Sequence, residues 1–206
     1  MKILVVSDEE VKRFYEYYQE GILKPYDLIL SCGDLSPKYL SFLATMSTAE
    51  VLYVHGNHDK HYLKEPPEGC TCIEDRVYNF RGLRILGLGG SMKYRESPFQ
   101  YTEKEMRWRI RKLCFRLWRS KGFDILLTHS PAFQLNDAED LPHQGFRCFR
   151  KLLEKYEPKY FIHGHVHKNY GKGYKKLDQF GKTTVINGYQ FYELEIPDEM
   201  IKDRRR

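Results

Sequence analysis

The chain opens with short runs that are apolar almost throughout, rather than with a period of two. Residues 2–7 (KILVVS), 27–32 (DLILSC) and 50–54 (EVLYV) all have this character. It is the pattern of strands buried on both faces of a parallel sheet. Between them lie two stretches of helical period. Residues 10–20 place Val11, Phe14, Tyr15 and Tyr18 on one side and predict a helix stopped by Gly21 and Pro25. Ser36-Pro37 supplies a capping side chain and a proline for the first helical position, predicting a second helix to about Met46. The first 55 residues therefore predict strand-helix-strand-helix-strand, an α/β arrangement around a parallel sheet.

Loop material follows from Gly56. Residues 76–80 and 83–88 predict two strands joined by Arg81-Gly82, and Gly87-Leu88-Gly89-Gly90 predicts a flexible loop. Thr102-Glu103-Lys104-Glu105 has the form of a capping box. It opens a long helix to about Lys121, with Met106, Ile110, Leu113 and Leu117 on one face. Arg107, Arg109, Arg111, Lys112, Arg116 and Arg119 make the rest of that helix basic. Further strands are predicted at 123–128, 159–163, 183–187 and 191–196, and a helix at 146–156. With no internal repeat or linker, a single domain spanning 1–206 is expected, with 198–206 as a flexible basic tail.

Composition changes this picture little. The 206 residues, 41% hydrophobic and 30% charged, fit one globular domain. No apolar run reaches the roughly 18–20 residues that span a bilayer, so no membrane association is expected. The N-terminus reads as a first strand and not as a signal peptide. Five cysteines, an odd number without a secretory signal, point to reduced thiols in the cytoplasm. Cys70-Thr71-Cys72 is too closely spaced for a zinc knuckle. A net charge of +6 favours an anionic substrate or partner. The basic helix raises nucleic acid as a partner, but no binding module accompanies it, and a solvated helix face is preferred.

The chemistry lies where polar residues follow the apolar runs. Asp8-Glu9-Glu10, Gly33-Asp34, Gly56-Asn57-His58-Asp59, His129 and Gly164-His165-Val166-His167 each come directly after a predicted strand. In an open α/β sheet, ligands collect outside the carboxyl ends of the strands. Carboxylates at 8 and 34, an amide at 57 and imidazoles at 129, 165 and 167 form an oxygen-and-nitrogen donor set without thiolate. That set suits Mn²⁺, Fe, Zn²⁺ or Mg²⁺. Six or seven donors exceed the needs of one tetrahedral ion, and two ions sharing a carboxylate would use them. His55, His61 and His163 lie outside these motifs and read as structural.

In that order the motifs resemble the signature of calcineurin-like metallophosphoesterases. The resemblance implies two β-sheets packed as a sandwich and flanked by helices, a four-layer α/β/β/α fold. It implies a phosphomonoesterase or phosphodiesterase working through a metal-bridging hydroxide. Asp34 would bridge two divalent ions, most readily Mn²⁺. Asp8 and His167 would complete the first ion's ligands, and Asn57, His129 and His165 the second's. His58 would contact the phosphate and assist the leaving group, and Asp59 would orient His58. The family has Asp-x-His in its first motif, where this chain has Glu10. Glu10 is taken as a ligand that favours Mn²⁺ or Mg²⁺ and raises the pKa of bound water. Residues 143–171, with Thr128-His129-Ser130-Pro131 upstream, are more narrowly similar to metallophosphoesterase-domain proteins known from brain and to their bacterial cousins. Those proteins are similar to phosphodiesterases acting on cyclic nucleotides or related small phosphoesters, a pattern that puts His143 and Gly145 near the substrate mouth and leaves the substrate itself open. Arg95, in the loop after the glycines, is a further candidate for the substrate phosphate. Two other readings stay open. One is a non-catalytic scaffold on the same fold, suggested by Glu10. The other is a nuclease using the basic helix. Oligomeric state is left open.

Overall fold

The computed structural model describes residues 1–167 and 174–197. The expected tail at 198–206, and residues 168–171 of the narrower resemblance, lie outside the described residues.

The apolar runs do become central strands. β1 (Lys2–Ser7), β2 (Leu28–Ser31), β3 (Glu50–Tyr53) and β4 (Cys70–Cys72) form a parallel ladder. The last strand, β13 (Gln190–Glu195), closes the other edge antiparallel to β1. A second sheet holds β5 (Arg76–Phe80), β6 (Leu83–Leu88), β9 (Ile125–Thr128), β10 (Tyr160–His163), β11 (Leu177–Phe180) and β12 (Thr183–Asn187). Its order is β11-β12-β10-β9-β6-β5, parallel in the middle and antiparallel at both edges.

Alternation decides the layering. Ile3, Val5, Leu28, Leu30 and Leu52 face Ile85, Ile125, Leu127, Ile162 and Ile186 between the sheets. The intervening Leu4, Val6, Ile29 and Val51 face outward, against α1 (Pro37–Met46). Ser36 caps that helix through Tyr39 N–H at 3.1 Å, and Tyr39, Leu40 and Leu43 are its buried face. Burying each such side chain contributes about 1.5–3 kcal/mol. On the far side, Leu86, Leu88, Leu126, Phe161 and Val185 are covered by α2 (Glu103–Lys112), α3 (Cys114–Arg119) and α4 (Arg147–Tyr156). The result is the expected α/β/β/α sandwich.

Thr102 and Glu105 form a reciprocal capping box at the start of α2, with bonds of 2.7 and 3.2 Å. Thr102→Ala should lower unfolding stability by about 1 kcal/mol, read as an earlier denaturant midpoint at unchanged slope.

Three expectations need correction here. Residues 10–20 form only a 3₁₀ turn, Lys12–Phe14, followed by other turns. Four aromatic rings between 14 and 18 lose rotamer freedom in a helix. They gain more by docking singly: Phe14 against Phe191, Tyr15 and Tyr18 against Phe42. The long basic helix is interrupted at Leu113, which is buried and closes α2 with a 3₁₀-type bond to Ile110 O. The segment 87–90 is not loose. Gly87 and Leu88 belong to β6, Gly89 N–H donates to Glu74, and Gly90 N–H donates to His55 O at 2.7 Å. Within 90–101, a short parallel pair forms from β7 (Ser91–Met92) and β8 (Gln100–Tyr101). Cys70 and Cys72 lie in an edge strand and pack with the α1 layer; all five cysteines are unpaired. Among the described residues, no helix is long and apolar enough to cross a membrane.

Candidate metal centre

Five strands, β1, β2, β3, β9 and β10, end at one edge of the sandwich, and the chain turns sharply as it leaves them. Asp8, Asp34 and His165 all adopt left-handed backbone, with φ of 67°, 57° and 69°. Each such non-glycine residue costs of order 1–3 kcal/mol, and such strain gathers at functional sites. Hydrogen bonds hold them there. Asp8 N–H donates to Gly33 O at 3.1 Å. Asp34 N–H donates to the Asp59 carboxylate at 2.9 Å, and His165 N–H to both Asp8 carboxylate oxygens at 2.9 and 3.1 Å. This last contact ties the two sheets together at the site. The loops approach so closely that a Cβ on Gly56 would lie 2.0 Å from Asp34 Oδ1.

One point of convergence is chemically unusual. His129 is fully buried, and its Nδ1–H donates to Cys32 O at 2.9 Å. That bond turns Nε2 toward the other side chains, where a charged ring donates a second hydrogen and a neutral ring offers a lone pair to an ion. Nε2 faces Asn57 Oδ1 at 2.9 Å and Asp34 Oδ2 at 3.3 Å, neither of which can donate. Tyr94 O–H lies 3.4 Å from Asn57 Nδ2, which fixes the amide so that its oxygen points inward. His165 completes the group. Its Nε2–H donates to Pro142 O at 2.7 Å, leaving Nδ1 as the ligand atom, and single ligand atoms of Asp34, His129 and His165 lie within 4.8 Å of one another. Two donors each about 2.1 Å from an ion and at right angles would sit about 3.0 Å apart. The spacings around His129 match that figure. Burial pushes the His129 pKa down, but Asp34, then Asp8 and Asp59, push it up to about 9. The cluster demands positive charge, and the donor set fits a divalent cation.

A second group adjoins it. His167 Nε2 lies 3.4 Å from Asp8 Oδ1, whose side chain is 1% exposed. Burial raises the Asp8 pKa, but the His167 hydrogen bond and the His129 charge bring it below the usual carboxylate range. Tyr189 stacks on His167 with ring centroids 4.7 Å apart, and its hydroxyl donates to Glu9 at 2.6 Å. The tight turn at Asp8, with Glu9 N–H donating to Ser7 O at 2.7 Å, carries Glu10 off the strand line. The Glu10 charge acts on the Tyr39 hydroxyl. Glu9 is the acid that meets the His167 side of the centre.

Asp59 differs from its expected part. Its Oδ2 accepts from Asp34 N–H and Gly56 N–H at 2.9 and 2.7 Å, so it braces the ligand loops and does not orient His58. Burial, then the Asp34 charge, raise its pKa to about 6. His58 stands exposed at the mouth, with its backbone N–H donating to Asp34 Oδ1 at 2.7 Å. His143 bonds Asp140 at 2.5 Å and sits 5.0 Å, ring to ring, from His165. Arg95 is exposed, its guanidinium over the Tyr94 ring at 5.3 Å. His55 pairs with Glu74 and stacks on Phe99, and buried His163 bonds Gly164 O; both are structural, as read.

Sequence reasoning missed Tyr189, and also Asn187, whose side chain donates to Val166 O at 2.8 Å and braces the His165–His167 turn. The signal was present: Asn187-Gly188-Tyr189 is another polar cluster after a buried strand at the same edge. Beside His167 opens a cavity of about 620 Å³ lined by Phe133, Gln134, Asp137, Gln144 and Tyr174, among others.

A sequence model of calcineurin-like phosphoesterases matches residues 1–169. A UPF0046 protein of Caenorhabditis elegans is 20% identical over 219 residues, covering 91% of this chain and 74% of that protein. Among solved structures, TT1561 of Thermus thermophilus is similar at a TM-score of 0.58 and 17% identity, covering 92% of this chain and 89% of its own. GAP50, the anchor in the inner membrane complex of Plasmodium, is similar at 0.53 and 13% identity, covering 91% and 70%. The structural likenesses show the shared fold, and the match over residues 1–169 shows the kinship: this chain belongs to the calcineurin-like phosphoesterase family.

Proposed function

We propose that the protein is a metal-dependent hydrolase of small phosphoesters, with two divalent ions, Mn²⁺ foremost, held at the strand-end cluster. The observation that supports this reading is the buried convergence of His129 Nε2, Asn57 Oδ1 and Asp34 Oδ2, a cluster that favours a positive charge at its centre. Asn57, His129 and His165 would hold one ion, Asp8 and His167 the other, and Asp34 both. When bound, such ions supply Lewis acidity and lower the pKa of water.

The chain's own residues do the rest. The carbonyls of Cys32 and Pro142 fix which nitrogen of His129 and His165 points inward. Asp59 holds the two loops that present Asp34 and Asn57. His58, exposed beside Asp34, is placed to meet a phosphate oxygen and protonate the leaving group. Arg95 and Tyr94 stand on the same side as Asn57. The cavity beside His167 has room for the alcohol portion of a mono- or diester, a nucleoside among them. Five unpaired cysteines support a reducing compartment, the cytoplasm.

The purified protein should hydrolyse nitrophenyl phosphate or bis-nitrophenyl phosphate with Mn²⁺, Mg²⁺ or Zn²⁺. His58→Ala should lower kcat about a hundredfold with metal content unchanged. Inactivity with every metal would refute the proposal and leave a fold without its chemistry.

A further inference from the structure

The outer layer of the second sheet presents a surface that the metal centre does not use. From Met106 to Gly122 there is no acidic residue. Met106 and Arg109 of α2, Leu113 at the break and Leu117 of α3 are buried. At helical spacing the opposite arc carries Lys104, Trp108, Arg111, Lys112, Phe115, Trp118 and Arg119, all exposed. Trp108 is 56% exposed, Phe115 65% and Trp118 74%, three of the eight exposed large apolar side chains among the described residues. An exposed tryptophan is uncommon, and a solvated helix face ordinarily mixes lysine with glutamate. This arc instead alternates cations with aromatic rings. None of Lys104, Arg107, Arg111, Lys112 or Arg119 has an ion-pair partner among the described residues. Glu105 is turned back onto Thr102, and Asp75, on the Lys112 side, is bonded to Arg109. The charge continues onto α4, where Lys151 and Lys155 join Arg107 and Arg111 around a shallow depression.

We propose that this ridge docks the protein on an anionic lipid surface, with the rings entering the headgroup region and the arginines and lysines meeting lipid phosphates. A cluster of about four to eight lysines and arginines on a helix reads as a site for anionic lipid headgroups, and Trp prefers the headgroup layer. Trp108, Phe115 and Trp118, each more than half exposed among those cations, make anionic lipid the occupant that charge and composition favour. The protein would lie on the membrane without crossing it, which agrees with the lack of a membrane-spanning helix among the described residues. The metal centre, at the strand-end edge, would stay open to solvent.

Both tryptophans of the chain are on this ridge, so intrinsic fluorescence reports on it directly. The full chain is mixed with vesicles of phosphatidylcholine alone, or containing about 30% phosphatidylserine, with and without brominated acyl chains. The expected result is co-sedimentation with the anionic vesicles only, a blue shift of emission, and quenching by the brominated lipid. Phe115→Ser with Trp118→Ser, or Arg111→Glu with Arg119→Glu, should weaken vesicle binding about tenfold or more while leaving the thermal melt in place. No sedimentation with unmoved emission would overturn the proposal. So would adsorption without blue shift or bromine quenching, which marks charge attraction alone. Tighter binding to an oligonucleotide than to anionic vesicles at the same salt would replace lipid with nucleic acid.

Discussion

Replacing Asp34 with alanine will lower phosphoester turnover by about a thousandfold or more and remove most of the bound metal. Its carboxylate faces His129 Nε2 with one oxygen and receives the His58 N–H with the other. It is the residue proposed to serve both ions. Metal ions contribute several kcal/mol of transition-state charge stabilisation, and each 1.36 kcal/mol is tenfold in rate. Burial alone would raise the Asp34 pKa, but the His129 charge and hydrogen bond bring it down to about 2, so the group is a carboxylate at any working pH. Asp34→Asn is the informative companion: it keeps the shape and an acceptor but removes the charge. Turnover and metal content, measured on the same preparations, should fall together in both variants. A variant that keeps its metal and loses only activity would separate Asp34 from ligation.

The second large effect concerns stability. Arg109, 10% exposed, donates to Asp75 Oδ1 and to Gly89 O at 2.9 Å each, pairs with Glu74, and lies over the Tyr101 ring at 4.3 Å. Glu74 in turn accepts from His55 N–H at 2.9 Å, one residue before the Gly56-Asn57 turn. Removing one partner of a buried pair leaves an uncompensated charge and costs about 3–5 kcal/mol. Arg109→Met should therefore unfold about 10 °C earlier, given about 2–4 °C per kcal/mol for a chain of this size. The pH dependence has a definite sign. Burial pushes the Glu74 pKa up, but the His55 hydrogen bond and the Arg109 charge hold it at about 2, below the usual carboxylate range. A carboxylate depressed on folding adds stability above its unfolded pKa, about 4.3, and loses it as pH falls toward the folded value. Wild-type stability should thus decline between about pH 4.5 and 2. In Arg109→Met, where Glu74 is less depressed on folding, that decline should be shallower. A thermal melt series from about pH 7 to 3 checks both.

The same two residues mark where the sequence was and was not sufficient. Asp34 was legible because it follows a buried strand, and strand ends in an α/β sheet are where ligands gather. The same logic located Asn57, His129, His165 and His167, and the wholly apolar runs located every strand that carries them. Arg109 was not legible. Its neighbours on the helix are solvent-facing arginines, and nothing local distinguishes it. Its partners Glu74 and Asp75 are 35 and 34 residues away in sequence, joined to it only by the fold. The helix expected over residues 10–20 failed for a related reason: its apolar side was real, but separate tertiary docking of Phe14, Tyr15 and Tyr18 outweighed a local period. Glu9 and Glu10 show a finer limit. Which of two adjacent acids faces the centre depends on the left-handed turn at Asp8, and a spacing rule does not contain that turn.

The most direct test of the central claim is anomalous diffraction from crystals grown with Mn²⁺, measured at the manganese edge. The account predicts two peaks about 3.5–4 Å apart, one among Asn57, His129 and His165, the other beside Asp8 and His167, with Asp34 between them. No peak at this edge of the sandwich, or manganese bound only elsewhere, would contradict it.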